Sequence, residues 1–140
     1  MSIATIEGVP VDTRHWIDGH RVASSSTFTD VSPIDEQPLA RISAGTGLEV
    51  QAAVAAARSA FPSWASWSRT ERAQVLRRIA DGIEARSEDL ARVETRDNGS
   101  LLRSHRRGVM PRVALNFRFF ADHLEKLDHA GGRSAVIASG

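Results

Sequence analysis

Residues 68–99 read SRTERAQVLRRIADGIEARSEDLARVETRDNG and carry the longest helical pattern in the chain. Apolar side chains recur there at steps of three and four, which places them on one face of an α-helix. Ser68 and Glu71 form a capping-box pattern at the start, Ser87 is expected to cap a second segment after a bend, and Gly99 is placed to end the helix. The stripe comprises Ala73, Leu76, Ala80, Ile83, Leu90 and Val93.

The sequence before this helix predicts short antiparallel strands. Residues 1–14 are predicted to be a flexible leader without regular structure. Asp18 and Gly19 lie between two apolar-containing runs, which is a strong hairpin signal. Predicted strands cover residues 15–17, 21–22, 27–31 and 38–42.

Two more amphipathic helices flank the opening one. An alanine-rich segment over 48–61 predicts a helix with Val50, Val54, Ala57 and Phe61 on one face, and Pro62 is expected to end it. Residues 109–127 predict another helix, with Pro111 in its first turn. Its apolar stripe comprises Val109, Val113, Phe117, Phe120, Leu124 and Leu127. Three such helices and a few short strands would leave roughly several hundred Å² of apolar surface uncovered. We therefore expect that the chain lacks the sheet against which its helices pack.

Composition excludes several classes of protein. The chain has 140 residues, enough for one domain, and a net charge of +1, which gives no overall attraction to nucleic acid or anionic membranes. No apolar run reaches the length of a membrane span, and the N-terminus lacks a secretory signal, so a cytoplasmic location is predicted. The absence of cysteine excludes disulfides, thiolate metal sites and thiol catalysis within these residues.

Most local motifs have an ordinary structural interpretation. Gly45, Thr46 and Gly47 lack the third glycine of a dinucleotide fingerprint and are interpreted as a loop before a helix. The histidines have no clear metal-ligand spacing and are interpreted as packing or surface residues. They are His15, His20, His105, His123 and His129.

One basic cluster stands out between residues 103 and 112. It could contact phosphate or nucleic acid, or it could be a solvated loop or an intersubunit salt-bridge surface. Nucleic-acid binding is the less favoured alternative because the rest of the chain adds nothing to the cluster. Its members are Arg103, His105, Arg106, Arg107 and Arg112.

Asp97 lies at a helix C-terminus, where a carboxylate opposes the helix dipole by roughly 0.3–1 kcal/mol. A nearby cation would offset this cost. Arg96 or another arginine could supply it, or a hard cation could bind this carboxylate together with backbone carbonyls. From composition alone, an arginine or plain solvent around Asp97 is favoured over a bound cation.

Six segments of the chain form an ordered set: HWIDG (15–19), TFTDVSP (27–33), PLARISAG (38–45), AVAAARSAFPSW (53–64), ERAQVLRRIADGIEAR (71–86) and LARVETRDNG (90–99). Together they resemble the N-terminal part of the NAD(P)-dependent aldehyde dehydrogenase superfamily. Their order and spacing agree over residues 15–130. Ser32 and Pro33 stand where the family usually has Asn-Pro, and Ser100 departs from the basic residue common after the DNG turn. Residues 110–122, MPRVALNFRFFAD, most resemble the 5-carboxymethyl-2-hydroxymuconate and 2-hydroxymuconic semialdehyde dehydrogenases.

The resemblance implies an α/β fold with a Rossmann-like cofactor domain, a catalytic domain and an oligomerisation sheet. Short N-terminal β-hairpins and three amphipathic helices would belong to the cofactor domain over 15–130. Residues 131–140 would start a strand leading toward the oligomerisation element. The family oxidises an aldehyde to a carboxylic acid with a cysteine nucleophile, NAD or NADP as hydride acceptor and a glutamate that activates water. Family members form homo-oligomers, dimers or tetramers.

None of the family's catalytic or cofactor-binding residues falls on this sequence, which has no cysteine. We therefore expect a fragment, a truncated gene product or a misassigned reading frame that is inactive alone. The alternative is an assembly module that docks on a full-length relative. One family feature does match: several members bind a monovalent cation through backbone oxygens before the Asn-Pro and through the aspartate of the DNG turn. The matching positions are Asp30, Val31 and Asp97, with Na⁺ or K⁺ as the ion.

Overall fold

The computed structural model describes residues 2–127, and the strand predicted over 131–140 and His129 lie outside the described residues. Six strands precede five α-helices, and one turn of π-helix lies between the last two. The strands are β1 (Ile3–Ile6), β2 (Val9–Asp12), β3 (His15–Ile17), β4 (His20–Val22), β5 (Thr27–Val31) and β6 (Pro38–Ser43). The helices are α1 (Gly47–Ser66), α2 (Arg69–Ala85), α3 (Ser87–Asn98), α4 (Leu102–Ser104) and α5 (Met110–Lys126), with the π-helical turn at His105–Val109.

The N-terminal residues form a β-hairpin, so the prediction of an unstructured leader over 1–14 is wrong. β1 and β2 pair antiparallel around Glu7 and Gly8, whose φ angles are 50° and 79°. Two consecutive left-handed residues make the turn that matches the twist of paired strands. Ile6 and Val9 beside this turn are buried. Glu-Gly is a weaker turn signal than Asp-Gly, which is why the sequence pattern did not indicate this hairpin.

The other two hairpins confirm the predicted strands. β3 and β4 pair around Asp18 and Gly19, which have φ angles of 51° and 74°. β5 pairs antiparallel with β6, and the ladder carries a bulge between Asp30 and Val31. Among residues 2–127 each strand has a single partner, giving three separate two-stranded sheets.

Helix α1 begins where the sequence predicts but extends beyond Pro62. Thr46 and Glu49 form a capping box at its start, which confirms the loop-before-helix interpretation. Proline lacks an N–H donor and its ring crowds the carbonyl four residues earlier, yet the chain stays helical for four more residues until Trp67 becomes extended. No residue of α1 is buried, and Phe61 is 64% exposed.

The opening stretch forms two helices, which agrees with the second segment predicted after a bend. The capping box of Ser68 and Glu71 is present, and α2 ends at Ala85 because the backbone of Arg86 (φ −116°, ψ 16°) leaves helical geometry. Helix α3 follows directly without a side-chain cap, so the prediction that Ser87 caps it is wrong. Gly99 ends α3 in the left-handed conformation, as predicted, with φ 76°.

The main packing contact joins α2 and α5 through small side chains. Ala73 and Ala80 on α2 are fully buried, as are Ala114 and Ala121 on α5. Alanine lets two helix backbones approach closely. Two arginines reinforce the antiparallel pair from opposite helices, because Arg77 bonds Asp122 and Glu125 whereas Arg118 bonds Asp81 and Glu84.

The buried face of α5 differs from the predicted stripe. Met110, Ala114 and Ala121 are its buried residues, whereas Phe120 is 60% exposed and Phe117 is half-buried. The periodicity was correct, but the packed face is centred on alanines because only small residues fit between the two backbones. The larger apolar residues therefore flank this face.

Much apolar surface remains open in the described part of the chain, as the sequence predicted. Leu48, Val50 and Phe61 on α1 are 76%, 61% and 64% exposed, and Leu115 and Phe119 on α5 are 63% and 60% exposed. Over residues 2–127 no helix has the length and apolar content needed to cross a bilayer.

Asp12 ties the N-terminal hairpin to the next strand and gives that region a pH dependence. Its carboxylate accepts hydrogen bonds from the Arg14 guanidinium at 3.0 and 2.7 Å. This side-chain hydrogen bond lowers the pKa of Asp12 to about 2. A carboxyl whose pKa is lower in the folded state stabilises that state above its ordinary pKa, and the contribution is lost as pH falls through the lowered pKa.

We expect the midpoint temperature of thermal unfolding to decrease as the pH is lowered from about 4 to about 2. The Asp12→Asn variant should show a smaller decrease over the same range. Circular dichroism measures the unfolding of the wild type and of D12N across that pH range. Asp18→Asn is the matched control because Asp18 lies on an exposed turn. Parallel pH curves for wild type and D12N would contradict the assignment.

Candidate cation site

The C-terminal turn of α3 packs against the segment that follows β5. The Gly99 amide donates to the Thr95 carbonyl at 3.0 Å, which closes the helix. A Cβ atom placed on Gly99 would lie only 3.0 Å from Pro33 Cγ. Residues 97–99 and 30–33 are therefore neighbours, although more than sixty positions separate them in the sequence.

This packing brings together two of the three predicted ligand residues. Asp30 is partly buried and Asp97 is exposed. Burial raises the pKa of Asp30, and the Asp97 carboxylate raises it further by its charge and by a side-chain hydrogen bond. Two neighbouring carboxylates repel each other when both are ionised, so a proton or a cation between them is favourable.

Val31, the third predicted ligand residue, directly follows Asp30 in β5. It follows the bulge in β5 and lies opposite Pro38 in the ladder. Proline has no N–H, so Pro38 cannot donate a ladder hydrogen bond to Val31. Bulges commonly redirect backbone groups beside functional sites. Hard oxygen donors of this kind suit a monovalent or alkaline-earth cation rather than a soft metal.

Arg96 does not provide the counter-charge that the sequence suggested for Asp97. Its Nε lies 3.3 Å from Glu7 Oε1 and its Nη2 lies 3.0 Å from Asp35 Oδ2. The guanidinium therefore pairs with the tips of two hairpins. No sequence signal indicated these contacts, because Glu7 and Asp35 belong to turns far from α3 in the chain.

The remaining candidate motifs do not add a second site. The Glu49 carboxylate accepts a hydrogen bond from the Thr46 amide at 2.7 Å and occupies the N-terminus of α1. Over residues 2–127 no group of three histidine, aspartate or glutamate side chains could hold a metal ion. A cation at Asp97 would therefore rely on backbone oxygens as well.

The basic cluster is helical, not a solvated loop, and the fold divides it. His105 is 3% exposed, and Arg106 is ion-paired with Glu88 on α3. The hydrogen bond from Arg106 lowers the pKa of Glu88. Arg103, Arg107 and Arg112 remain exposed on α4, the π-helical turn and α5. With one member buried and one neutralised, the described residues do not favour the nucleic-acid interpretation.

Comparison with known families gives one match that covers most of the chain. Residues 20–137 match the aldehyde dehydrogenase family. The chain is 42% identical over 121 residues to the 2-hydroxymuconic semialdehyde dehydrogenase of Pseudomonas sp. strain CF600, covering 83% of this chain and 24% of that protein. It is 35% identical over 114 residues to the 5-carboxymethyl-2-hydroxymuconate semialdehyde dehydrogenase of Escherichia coli, covering 81% and 24%.

Solved structures show the same relationship. PnpE from Pseudomonas sp. WBC-3 superposes with a TM-score of 0.81 at 37% identity, covering 84% of this chain and 25% of that one. An indole-3-acetaldehyde dehydrogenase superposes with a TM-score of 0.83 at 28% identity, covering 87% and 30%. The chain thus spans about a quarter of the length of the curated relatives it matches, which are 24% covered in both comparisons above.

Proposed function

The chain belongs to the aldehyde dehydrogenase family, and from this premise we propose that it forms the N-terminal part of an NAD(P)⁺-dependent enzyme. Residues 15–130 would contribute outer helices and edge strands to a Rossmann-like cofactor domain, and 131–140 would lead toward an oligomerisation strand. The substrate class we propose is a semialdehyde. The similarity of residues 110–122 to the hydroxymuconic semialdehyde dehydrogenases supports this choice, as do the two relatives' names.

The described residues do not fit a nicotinamide cofactor by themselves. Gly45 and Gly47 flank the N-terminus of α1, where the Glu49 carboxylate already accepts a hydrogen bond from the Thr46 amide. A dinucleotide phosphate would meet that carboxylate rather than free N–H donors. We therefore derive no step through the cofactor. The role we propose for this chain is to build and hold part of the scaffold.

The observation that carries this proposal is the family match over residues 20–137 in a sequence without cysteine. Aldehyde oxidation in the family needs a thiolate nucleophile, so we expect no NAD⁺ or NADP⁺ reduction by the purified chain with 2-hydroxymuconic semialdehyde. Absorbance of the reduced nicotinamide measures this, with a complete family member as the positive control. A steady rate from the chain that persists after repurification would overturn the claim of inactivity.

The open face of α1 favours a second role, docking on a full-length relative. Val50, Val54 and Phe61 are 61%, 46% and 64% exposed there, without cover from residues 2–127. The same purified chain, passed over an immobilised full-length relative, tests this role. Retention that is lost in Phe61→Asp but kept in Gln51→Asp would support docking through this face, and absence of retention would exclude it.

We also propose that Asp97, with the backbone oxygens of Asp30 and Val31, binds Na⁺ or K⁺. The proximity of Asp97 to Asp30, the raised pKa of Asp30 and the proline opposite Val31 support this proposal. A bound cation would offset the repulsion between the two carboxylates. The cation would also offset the unfavourable interaction of the Asp97 carboxylate with the helix dipole at the C-terminus of α3.

Cation binding predicts a specific stabilisation. At ten times the dissociation constant the free energy of unfolding rises by about 1.4 kcal/mol, which is roughly 3–6 °C in the unfolding midpoint for a chain of this size. We expect NaCl or KCl to give this shift relative to choline chloride at equal ionic strength. Asp97→Asn should abolish it, whereas Asp18→Asn should not. Equal midpoints in all three salts would exclude the site.

A further inference from the structure

We propose that Arg96 is the positioning residue of the candidate cation site: its guanidinium ties the tips of two β-hairpins to the last turn of α3 and so holds Asp97 against Asp30. The proposal rests on the cation site described above. Arg96 is not one of the proposed ligands of the ion. Its role depends on contacts among α3, the β1–β2 turn and the β5–β6 turn, which are distant in sequence.

The contacts of Arg96 fit a clamp better than a solvated charge. Nε faces Glu7 at 3.3 Å, and Nη2 donates to Asp35 at 3.0 Å. The Arg96 side chain is 22% exposed, whereas the Glu7 and Asp35 side chains are 49% and 42% exposed. Two different nitrogens of one planar group engage two separate carboxylates. A lysine ammonium has no planar fork and reproduces this arrangement less well.

Both partners of Arg96 belong to well-defined turns. Glu7 has a φ of 50° and forms the β1–β2 turn with Gly8. Asp35 Oδ1 accepts a hydrogen bond from the Gln37 amide at 3.2 Å, inside the turn that joins β5 to β6. The hydrogen bond from Arg96 lowers the pKa of Asp35, so this carboxylate is held in its charged form. Arg96 thus has two fixed anchors.

The clamp acts directly on the separation of the ligands. Arg96 precedes Asp97 in the final turn of α3, and the turn that carries Asp35 starts at Ser32, immediately after Val31. Ser32 is fully buried, and its amide donates to Gln37 at 3.0 Å. Joining Arg96 to Asp35 therefore fixes the end of α3 relative to the end of β5. Arg96 forms its ion pairs with Glu7 and Asp35, so it does not neutralise the Asp30 and Asp97 carboxylates. A different cation can therefore bind between these two carboxylates.

The first test measures position without any cation. The close approach of Gly99 and Pro33 predicts a nuclear Overhauser effect between Gly99 Hα and Pro33 Hγ in the 140-residue chain. We expect this cross-peak to be lost in Arg96→Ala and partly restored in Arg96→Lys. The control is Arg92→Ala, because Arg92 lies one turn earlier and pairs with Asp89 at 2.7 Å within α3. The cross-peak should persist in R92A.

The second test measures cation affinity. Loss of a residue that orients metal ligands typically costs 10–100-fold in affinity. We therefore expect the Na⁺ or K⁺ concentration for half-maximal stabilisation to rise at least about tenfold in R96A, less in R96K, and not at all in R92A. A purely structural role would lower the unfolding midpoint equally at every salt concentration without moving this half-maximal value.

The two readouts separate the possible failures. Retention of the Gly99–Pro33 cross-peak in R96A overturns the positioning role, whatever the salt response. If the wild type shows no cation dependence, the cation site is wrong, and loss of the cross-peak in R96A but not in R92A still supports Arg96 as the residue that positions the turn. If R96A does not fold, R96K takes its place in both comparisons.

Discussion

Replacing Ala80 with leucine is expected to lower the free energy of unfolding by about 1–3 kcal/mol. Ala80 is fully buried on α2, the helix that packs on α5. Ala114 and Ala121 on α5 are also fully buried, so both sides of the contact are made of small side chains. Three extra heavy atoms at Ala80 must separate the helix backbones or force strained rotamers. The ion pairs of Arg77 and Arg118 would lengthen when the helices move apart.

Denaturant unfolding followed by helical circular dichroism measures this loss, with Ala85→Leu as the matched control. Ala85 is exposed on the same helix, so the same substitution there is expected to change stability by less than about 0.5 kcal/mol. A change at Ala80 no larger than that at Ala85 would show that α2 and α5 are not packed closely in solution.

Replacing Gly99 with alanine is the second large effect we expect, a loss of about 2 kcal/mol or more. Gly99 has a φ of 76°, which costs an alanine about 1–2 kcal/mol. In addition, the new Cβ would lie 3.0 Å from Pro33 Cγ, and the proline ring cannot rotate away. The turn must therefore move from the segment after β5, which also separates Asp97 from Asp30.

Substitutions at two other glycines separate the cost of the positive φ angle from the cost of the contact with Pro33. Gly19 has a φ of 74° and open space around its Cβ position, so Gly19→Ala measures backbone strain alone. Gly82 lies inside α2 with open space, so Gly82→Ala should stabilise the chain by about 0.5–1 kcal/mol. If G99A costs no more than G19A in thermal or denaturant unfolding, the contact with Pro33 is absent in solution.

Local signals accounted for most of the secondary structure. Ser68 and Gly99 mark helix ends through hydrogen bonds and backbone angles that involve only near neighbours, and both were correctly predicted. The errors arose where a local pattern was weak or was overridden. Glu7 and Gly8 make a turn without the usual Asn or Asp, and α1 continues through Pro62 although proline disfavours the interior of a helix.

The packed faces could be predicted only approximately. A stripe of period 3.6 indicates that a helix has an apolar side, but not which part of that side meets another helix. On α5 the contact selects Ala114 and Ala121, and it leaves Phe120 exposed. This selection depends on how close the α2 backbone comes, and that distance is a property of the pair rather than of either sequence.

The sequence alone determined the family, through six segments in order, and the absence of a thiol nucleophile, through composition. It also identified Asp30, Val31 and Asp97 as residues of interest. Only the tertiary structure decided that Asp97 meets Asp30, that Pro38 lies opposite Val31 and that Arg96 bridges Glu7 and Asp35. The reason is physical. Helix caps, turns and composition depend on neighbouring residues, whereas the repulsion between two carboxylates and the pairing of a guanidinium depend on distances through space, which are set when the hairpins dock on α3.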